Sequence, residues 1–178
     1  EDSLSERFRR DTQRKLLDIA VIRLPRISNF TDFAPFERYG NVSVRYVTSV
    51  EELHDPDIIF LPGTKSTIAD LLWLRQCGLE AAISKAASAG TLVMGICGGY
   101  QMLGTSVADP DQVEAAGVTE IAGMGLLDMD TVFRGDKVQT QTRGVFAGVT
   151  GMLENLKGLS YEGYENHMGR SQEERPPL

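Results

Sequence analysis

A chain of 178 residues, 42% hydrophobic and 24% charged, has the length and composition of one globular domain with a sizeable buried core. A net charge of −7 and a pI near 4.9 give no basic field for nucleic acid or anionic lipid, and no apolar run reaches the roughly 18–20 residues of a membrane span. Two cysteines, Cys77 and Cys97, are too few for a disulfide framework and fit a reducing cytoplasm, while the charged start lacks a signal-peptide core.

Residues 1–15 alternate charges without an apolar face and read as a linker from an upstream domain; a first residue other than Met agrees with a fragment or processed chain. "LLDIAVIRLP" (16–25) is a β-branched strand ended by Pro25. "RISNFTDFAPFERYG" is a loop leading into a short helix capped near Thr31 or Asp32, and "NVSVRYV" and "DIIFLP" are strands. "STIADLLWLRQCG" is a helix with Ser66 as N-cap candidate and Gly78 at its end. "LEAAISKAASAG" is a second helix, "TLVMGI" a buried strand, and a helix runs on to about Leu103. Strands alternating with helices over 16–104 predict a parallel sheet covered by helices. After residue 120 the pattern becomes short strands broken by glycine, with an "RGDK" turn at 134–137, then a strand or hairpin in "LSYEGYENHMGRSQ" and a polar tail "EERPPL".

The chemistry centres on Gly95-Ile96-Cys97-Gly98-Gly99, a Gly-x-nucleophile-x-Gly pattern between a strand and a helix. Such an elbow leaves no room for a Cβ beside the nucleophile and lifts the sulfur above the carboxyl end of the sheet. A helix N-terminus there is expected to favour the thiolate, with the Gly98 N–H facing an oxyanion. The competing reading is a buried cysteine acting as a small hydrophobe; Cys77, at the end of an amphipathic helix, has that structural reading. In "FLPGTKST", Gly63 can offer a second oxyanion donor. The same loop lacks the first glycine of Gly-x-x-x-x-Gly-Lys-[Ser/Thr], which excludes a phosphate loop.

"LDIAVIRLPRISNFTDF", "FLPGTKSTIADLLWLR", "GICGGYQMLG" and "GYENHMG" together resemble the C-terminal class I (triad-type) glutamine amidotransferase domain of the cobyric acid synthase family. The resemblance runs from Leu16 to about Gly169, and residues 16–178 are taken as that domain, incomplete at its C-terminus. It implies a flavodoxin-like three-layer α/β sandwich, mainly parallel, with an antiparallel extension in the last third. It implies a Cys97 thiolate attacking the amide of L-glutamine to give a glutamyl thioester and ammonia. Gly63 and Gly98 would be the oxyanion donors, and Gln101 would position glutamine. The ammonia would serve an N-terminal ATP-dependent synthetase domain that amidates carboxylates of adenosylcobyrinic acid a,c-diamide in cobalamin biosynthesis. ATP and Mg belong to that domain; this one needs no cofactor or metal, and a cytoplasmic place without nucleic-acid or membrane partners follows. Cobyrinate a,c-diamide synthase, the lipid II amidating enzyme and a non-catalytic amidotransferase-like binding module are the alternatives.

A cysteine nucleophile needs a base, normally His. His54 precedes a strand and reads as a surface residue. His167 is one candidate, but the resemblance sets its "YENHMG" segment apart from the family's catalytic histidine, which lies in a "Y-x-HG"-type motif expected beyond Leu178. His167 then has a structural or substrate-adjacent role. No acidic third member of the triad is assigned; Glu165 reads as an exposed strand carboxylate.

Overall fold

The computed structural model describes residues 15–114 and 117–173, excluding the side chains of residues 136–138, 152, 165–167 and 173. All but Lys15 of the expected linker and all but Glu173 of "EERPPL" lie outside the described residues.

The β-branched runs form four parallel strands: β1 (Leu17–Ile22), β2 (Val42–Val47), β3 (Ile58–Leu61) and β4 (Leu92–Gly95). Their order is β2-β1-β3-β4, the start of the flavodoxin-like order, so the centre of the sheet is buried on both faces. Between β2 and β3 lies the short α1 (Val50–Leu53); between β3 and β4 lie α2 (Thr67–Gln76) and α3 (Leu79–Ser88). Ala20, Ile22, Ile59 and Leu61 pack with Ile68, Leu71 and Leu74 of α2 and Leu79 and Ile83 of α3. On the other face Ile19, Val21 and Phe60 pack with Phe33 and Phe36, carried by 3-10 turns at Phe30–Phe33 and Phe36–Arg38. Each fully buried Ile, Leu, Val or Phe side chain among them contributes about 1.5–3 kcal/mol. The loop-and-short-helix expectation for 26–40 thus resolves into two 3-10 turns that cover the second face.

At the amino end of the sheet Asp18 is held by Ser43 Oγ at 2.8 Å and by Arg45 Nη2 at 2.9 Å, and its N–H donates to Asp57 Oδ2 at 2.8 Å. These carboxylates are satisfied within the scaffold. The carboxyl ends of β3 and β4, where parallel sheets leave their crevice, carry the Gly63 loop and the Cys97 corner.

A second sheet follows: β5 (Ser106–Ala108), β6 (Glu120–Ala122), β7 (Met129–Val145) and β8 (Ser160–Glu173), in the order β6-β5-β7-β8. β5 runs parallel to β7 and antiparallel to β6, and β7–β8 is antiparallel. The "RGDK" turn is overturned. β7 continues through it, with an irregularity in which Phe133 to Val138 takes five steps while β8 takes two, from Gly169 to His167. The glycine and charges at 134–137 mark a bulge, which bends a strand without ending it.

Candidate functional site

Cys97 stands between β4 and the five-residue helix α4 (Gly98–Met102), with φ 51° and ψ −113°. A non-glycine residue in that region stores about 1–3 kcal/mol of strain and persists only where its surroundings over-determine it. The surroundings here are close. Ile96 N–H donates to Leu61 O of β3 at 2.9 Å, and Gly99 N–H to Ile96 O at 2.9 Å. A Cβ on Gly99 would run into the Leu61 carbonyl, and one on Gly95 into the backbone of Tyr100. Both glycines are therefore required by space, while the positive φ falls on Cys97 itself.

The neighbouring loop brings Gly63 beside it. A Cβ there would sit 3.7 Å from Cys97 Cβ and 2.9 Å from Ser28 Oγ. Ser28 N–H donates to Gly63 O at 2.9 Å and Lys65 N–H to Arg26 O at 3.0 Å, so the loop after β1 and the loop after β3 are laced together. The lacing converges on Asp70, fully buried in the first turn of α2. Asp70 Oδ2 accepts from the Thr64 hydroxyl at 2.5 Å and from Arg26 N–H at 3.1 Å, and Oδ1 from Arg26 Nη1 at 3.0 Å. Ser66 occupies the N-cap position but makes no side-chain cap. Thr64 Oγ1 accepts Ser66 N–H at 3.2 Å instead, and Glu114 Oε2 accepts Ile68 N–H at 3.0 Å.

Gly98 completes the corner, its N–H lowering the Cys97 thiol pKa and its α-carbon facing Thr64 and Thr67. The Cys97 residue is exposed, yet its sulfur is crowded enough for burial to push the thiol pKa up. The Glu114 carboxylate pushes it further up, and the Gly98 N–H opposes both. The N–H at the start of the helix does favour the thiolate, and burial outweighs it. A five-residue helix offers little macrodipole, and burial with a nearby anion outweighs one N–H.

A model of the CobB/CobQ-like glutamine amidotransferase domain matches residues 18–178. The chain belongs to this family. It is 60% identical over 171 residues to the cobyric acid synthase of Lachnoclostridium phytofermentans, covering 96% of this chain and 33% of that protein. It is 52% identical over 169 residues to the cobyric acid synthase of Ruminiclostridium cellulolyticum, covering 95% and 32%. The chain thus spans about a third of the length of these relatives. Among solved structures, a glutamine amidotransferase superposes with a TM-score of 0.59 at 20% identity, over 82% of this chain and 69% of that one. PurLQS from Thermotoga maritima gives 0.57 at 20% identity, over 86% and 67%. The fold is shared with these structures, and the chain is a glutamine amidotransferase domain, with Cys97 at its elbow.

The amidotransferase domain brings together Cys97, Gly63 and Gly98, as the spacing predicts. Gln101 lies behind the corner, buried, accepting from the Thr67 hydroxyl at 3.3 Å and packed against Gly169 of β8. His54 is exposed at the end of α1, at the amino end of the sheet and so at the opposite end from Cys97. The backbone of His167 pairs with Val138 two residues before Gly169, and its side chain lies outside the described residues, as does that of Glu165. Cys77 is half-buried beneath the end of α2, where its thiol meets Leu74 O at 3.5 Å.

Three residues went unread in the sequence. Asp70 is an acid on an otherwise apolar helix face, a pattern that signals a buried acceptor. Asp109, fully buried, accepts from Val113 N–H at 2.7 Å and Glu114 N–H at 2.8 Å; its signal is the Asp-Pro turn. Glu114 carries no local signal, because only the fold brings it to the start of α2. Among the described residues there is no group of three or more His, Cys, Asp or Glu able to hold a metal, and no helix long and apolar enough to cross a membrane.

Proposed function

We propose that this domain is the glutaminase part of a cobyric acid synthase, with Cys97 as its nucleophile. The thiolate attacks the side-chain carbon of L-glutamine, and the oxyanion is received by the N–H groups of Gly63 and Gly98. Collapse breaks the carbon–nitrogen bond, a proton from the base leaves with the nitrogen as ammonia, and a thioester remains. Water then attacks the thioester and frees glutamate and the thiol. Gln101 keeps the corner in place behind the substrate. The base is a histidine, either His167 or one carried elsewhere in the larger protein. The ammonia passes to an ATP- and Mg-dependent synthetase part that amidates carboxylates of adenosylcobyrinic acid a,c-diamide. All of this takes place in the cytoplasm, and the glutaminase part itself uses no cofactor.

The observation that supports this reading most is the strained Cys97 corner flanked by Gly63 and Gly98, in a chain 60% identical to a cobyric acid synthase. The test uses the full-length protein and 6-diazo-5-oxo-norleucine. Mass spectrometry is expected to find one adduct, on Cys97, and Cys97→Ser to abolish glutamine hydrolysis. An unlabelled Cys97, with hydrolysis intact in Cys97→Ser, would leave an amidotransferase-like binding module as the better description.

A further inference from the structure

β5 ends at Ala108, and the chain turns at Asp109 toward the start of α2. The turn is built around one fully buried carboxylate: Asp109 Oδ1 accepts Val113 N–H at 2.7 Å and Oδ2 accepts Glu114 N–H at 2.8 Å. Asp109 also donates its own N–H to Thr119 O at 2.7 Å and accepts Gln112 N–H on its carbonyl at 3.1 Å. Gln112 is held at φ 52°, a conformation that few residues other than glycine adopt. A buried anion bonded in this way fixes the backbone of residue 114, and with it the place from which the Glu114 side chain starts.

That side chain reaches the wall beside Cys97. Glu114 Oε2 accepts Ile68 N–H, in the first turn of α2, at 3.0 Å and across 46 positions of sequence. Thr67, the preceding residue, has its hydroxyl 3.0 Å from where a Cβ on Gly98 would stand, and donates to Gln101 at 3.3 Å. Glu114 thus stands one residue from the contact between α2 and the elbow, close enough for its charge to bear on the Cys97 sulfur. The Ile68 N–H occupies one oxygen and leaves the charge of the carboxylate whole. An anion beside a thiol disfavours the thiolate. A cation brought in with a substrate is drawn to that anion and offsets it.

We propose that Glu114 receives the α-ammonium group of the L-glutamine whose side chain Cys97 attacks. This rests on the reading that the domain is a glutaminase. Glutamine carries one cation, four single bonds from its carboxamide carbon and so about 5 Å away. Its α-carboxylate is repelled by the same acid, so Glu114 fixes which way the amino-acid head lies. The contact is a charge-assisted hydrogen bond, and only an amide that is also an amino acid can form it. Glu114 thereby selects glutamine over simple carboxamides, and the substrate that it selects is the one that offsets the acid's charge at the sulfur.

The experiment uses the full-length enzyme and compares hydrolysis of L-glutamine with that of glutaramate, the same molecule without its α-amino group. Wild type is expected to prefer glutamine by roughly tenfold or more in kcat/KM. Glu114→Gln keeps an oxygen for the Ile68 N–H and removes the charge. It is expected to raise KM for glutamine roughly ten- to a hundredfold, the loss of one charge-assisted hydrogen bond, with kcat within about threefold of wild type. Glutaramate is expected to be hydrolysed no more slowly than by wild type, and Glu114→Asp, which keeps the charge, to retain most of the preference. A wild type that takes both amides equally would overturn the assignment. So would a preference unchanged in Glu114→Gln, because an acid that only caps α2 or partners the base acts on both amides alike. A wild-type enzyme that neither labels at Cys97 nor hydrolyses glutamine would instead overturn the functional reading on which the assignment stands.

Discussion

Replacing Asp70 by alanine is expected to loosen the Gly63 loop, proposed above to supply an oxyanion donor, before it loosens the fold. The carboxylate is fully buried and accepts three hydrogen bonds, from Thr64 Oγ1 at 2.5 Å, Arg26 N–H at 3.1 Å and Arg26 Nη1 at 3.0 Å. Removing one partner of a buried ion pair costs about 3–5 kcal/mol when the other charge stays buried. Arg26 is half exposed, 49% by side chain, and can turn to water, so the expected loss is about 2–3 kcal/mol, carried mostly by Thr64 Oγ1 and the Arg26 N–H. For a chain of this size that is a fall in Tm of about 5–10 °C, read by circular dichroism. Asp70→Asn keeps an acceptor and loses the charge, so about half the loss returns. In the full-length enzyme the turnover of glutamine falls by roughly tenfold in Asp70→Ala. That is less than the roughly 100-fold expected for deleting an oxyanion donor, because Gly63 is displaced and not removed. An alanine variant melting within about 1 °C of wild type, with unchanged turnover, refutes the reasoning: the lacing would then be held by the backbone pairs of Ser28 and Lys65 alone.

The thiol offers a second measurement. Iodoacetamide alkylation of Cys97 followed against pH is expected to rise at a pH above that of an ordinary thiol, since burial and the Glu114 carboxylate both disfavour the thiolate. Glu114→Gln removes the anion and moves the rise toward lower pH; a rise that stays in place excludes Glu114 as a cause. Gly99→Ala drives a methyl into the Leu61 carbonyl and is expected to cost about 3 kcal/mol, with Tm lower by about 6–12 °C and Cys97 no longer labelled by the glutamine analogue. Gly169→Ala meets Gln101, Thr131 and Phe133 and is expected to cost about 1–3 kcal/mol, read by thermal melting; a neutral result would mean that β8 does not brace the elbow.

The parallel half of the fold was legible because its signals are local. β-branched runs in "LDIAVI" and "IIFL", and helical spacing closed by Gly78 and Gly90, each state their element within a dozen residues. The Cys97 corner was legible for the same reason, since its glycines lie within two positions of the sulfur. The second sheet was less so. Its strands are polar and glycine-bearing because much of their surface faces water, and a bulge at 134–137 is written in the same residues as a turn. The electrostatics of the site were hidden further still. Glu114 lies 17 positions after Cys97, and it reaches the site through a loop whose shape is set by the buried Asp109. Only a folded chain shows that burial, ahead of the Gly98 N–H and the Glu114 carboxylate, sets the bias of the thiol.

That field bears on how the strain at Cys97 is kept. Its backbone conformation is opposed by sterics and supported from three sides: β3 through Leu61, α4 through Gly99, and the Gly63 loop through Ser28 and Asp70. The first two supports are close backbone contacts that a single methyl would spoil, and the third is a set of side-chain hydrogen bonds and contacts. The thiol at that corner is nonetheless biased toward its protonated, unreactive form. The geometry of the elbow is thus set by its packing, and a nucleophilic role for Cys97, as proposed above, requires removal of a proton against the bias that burial sets.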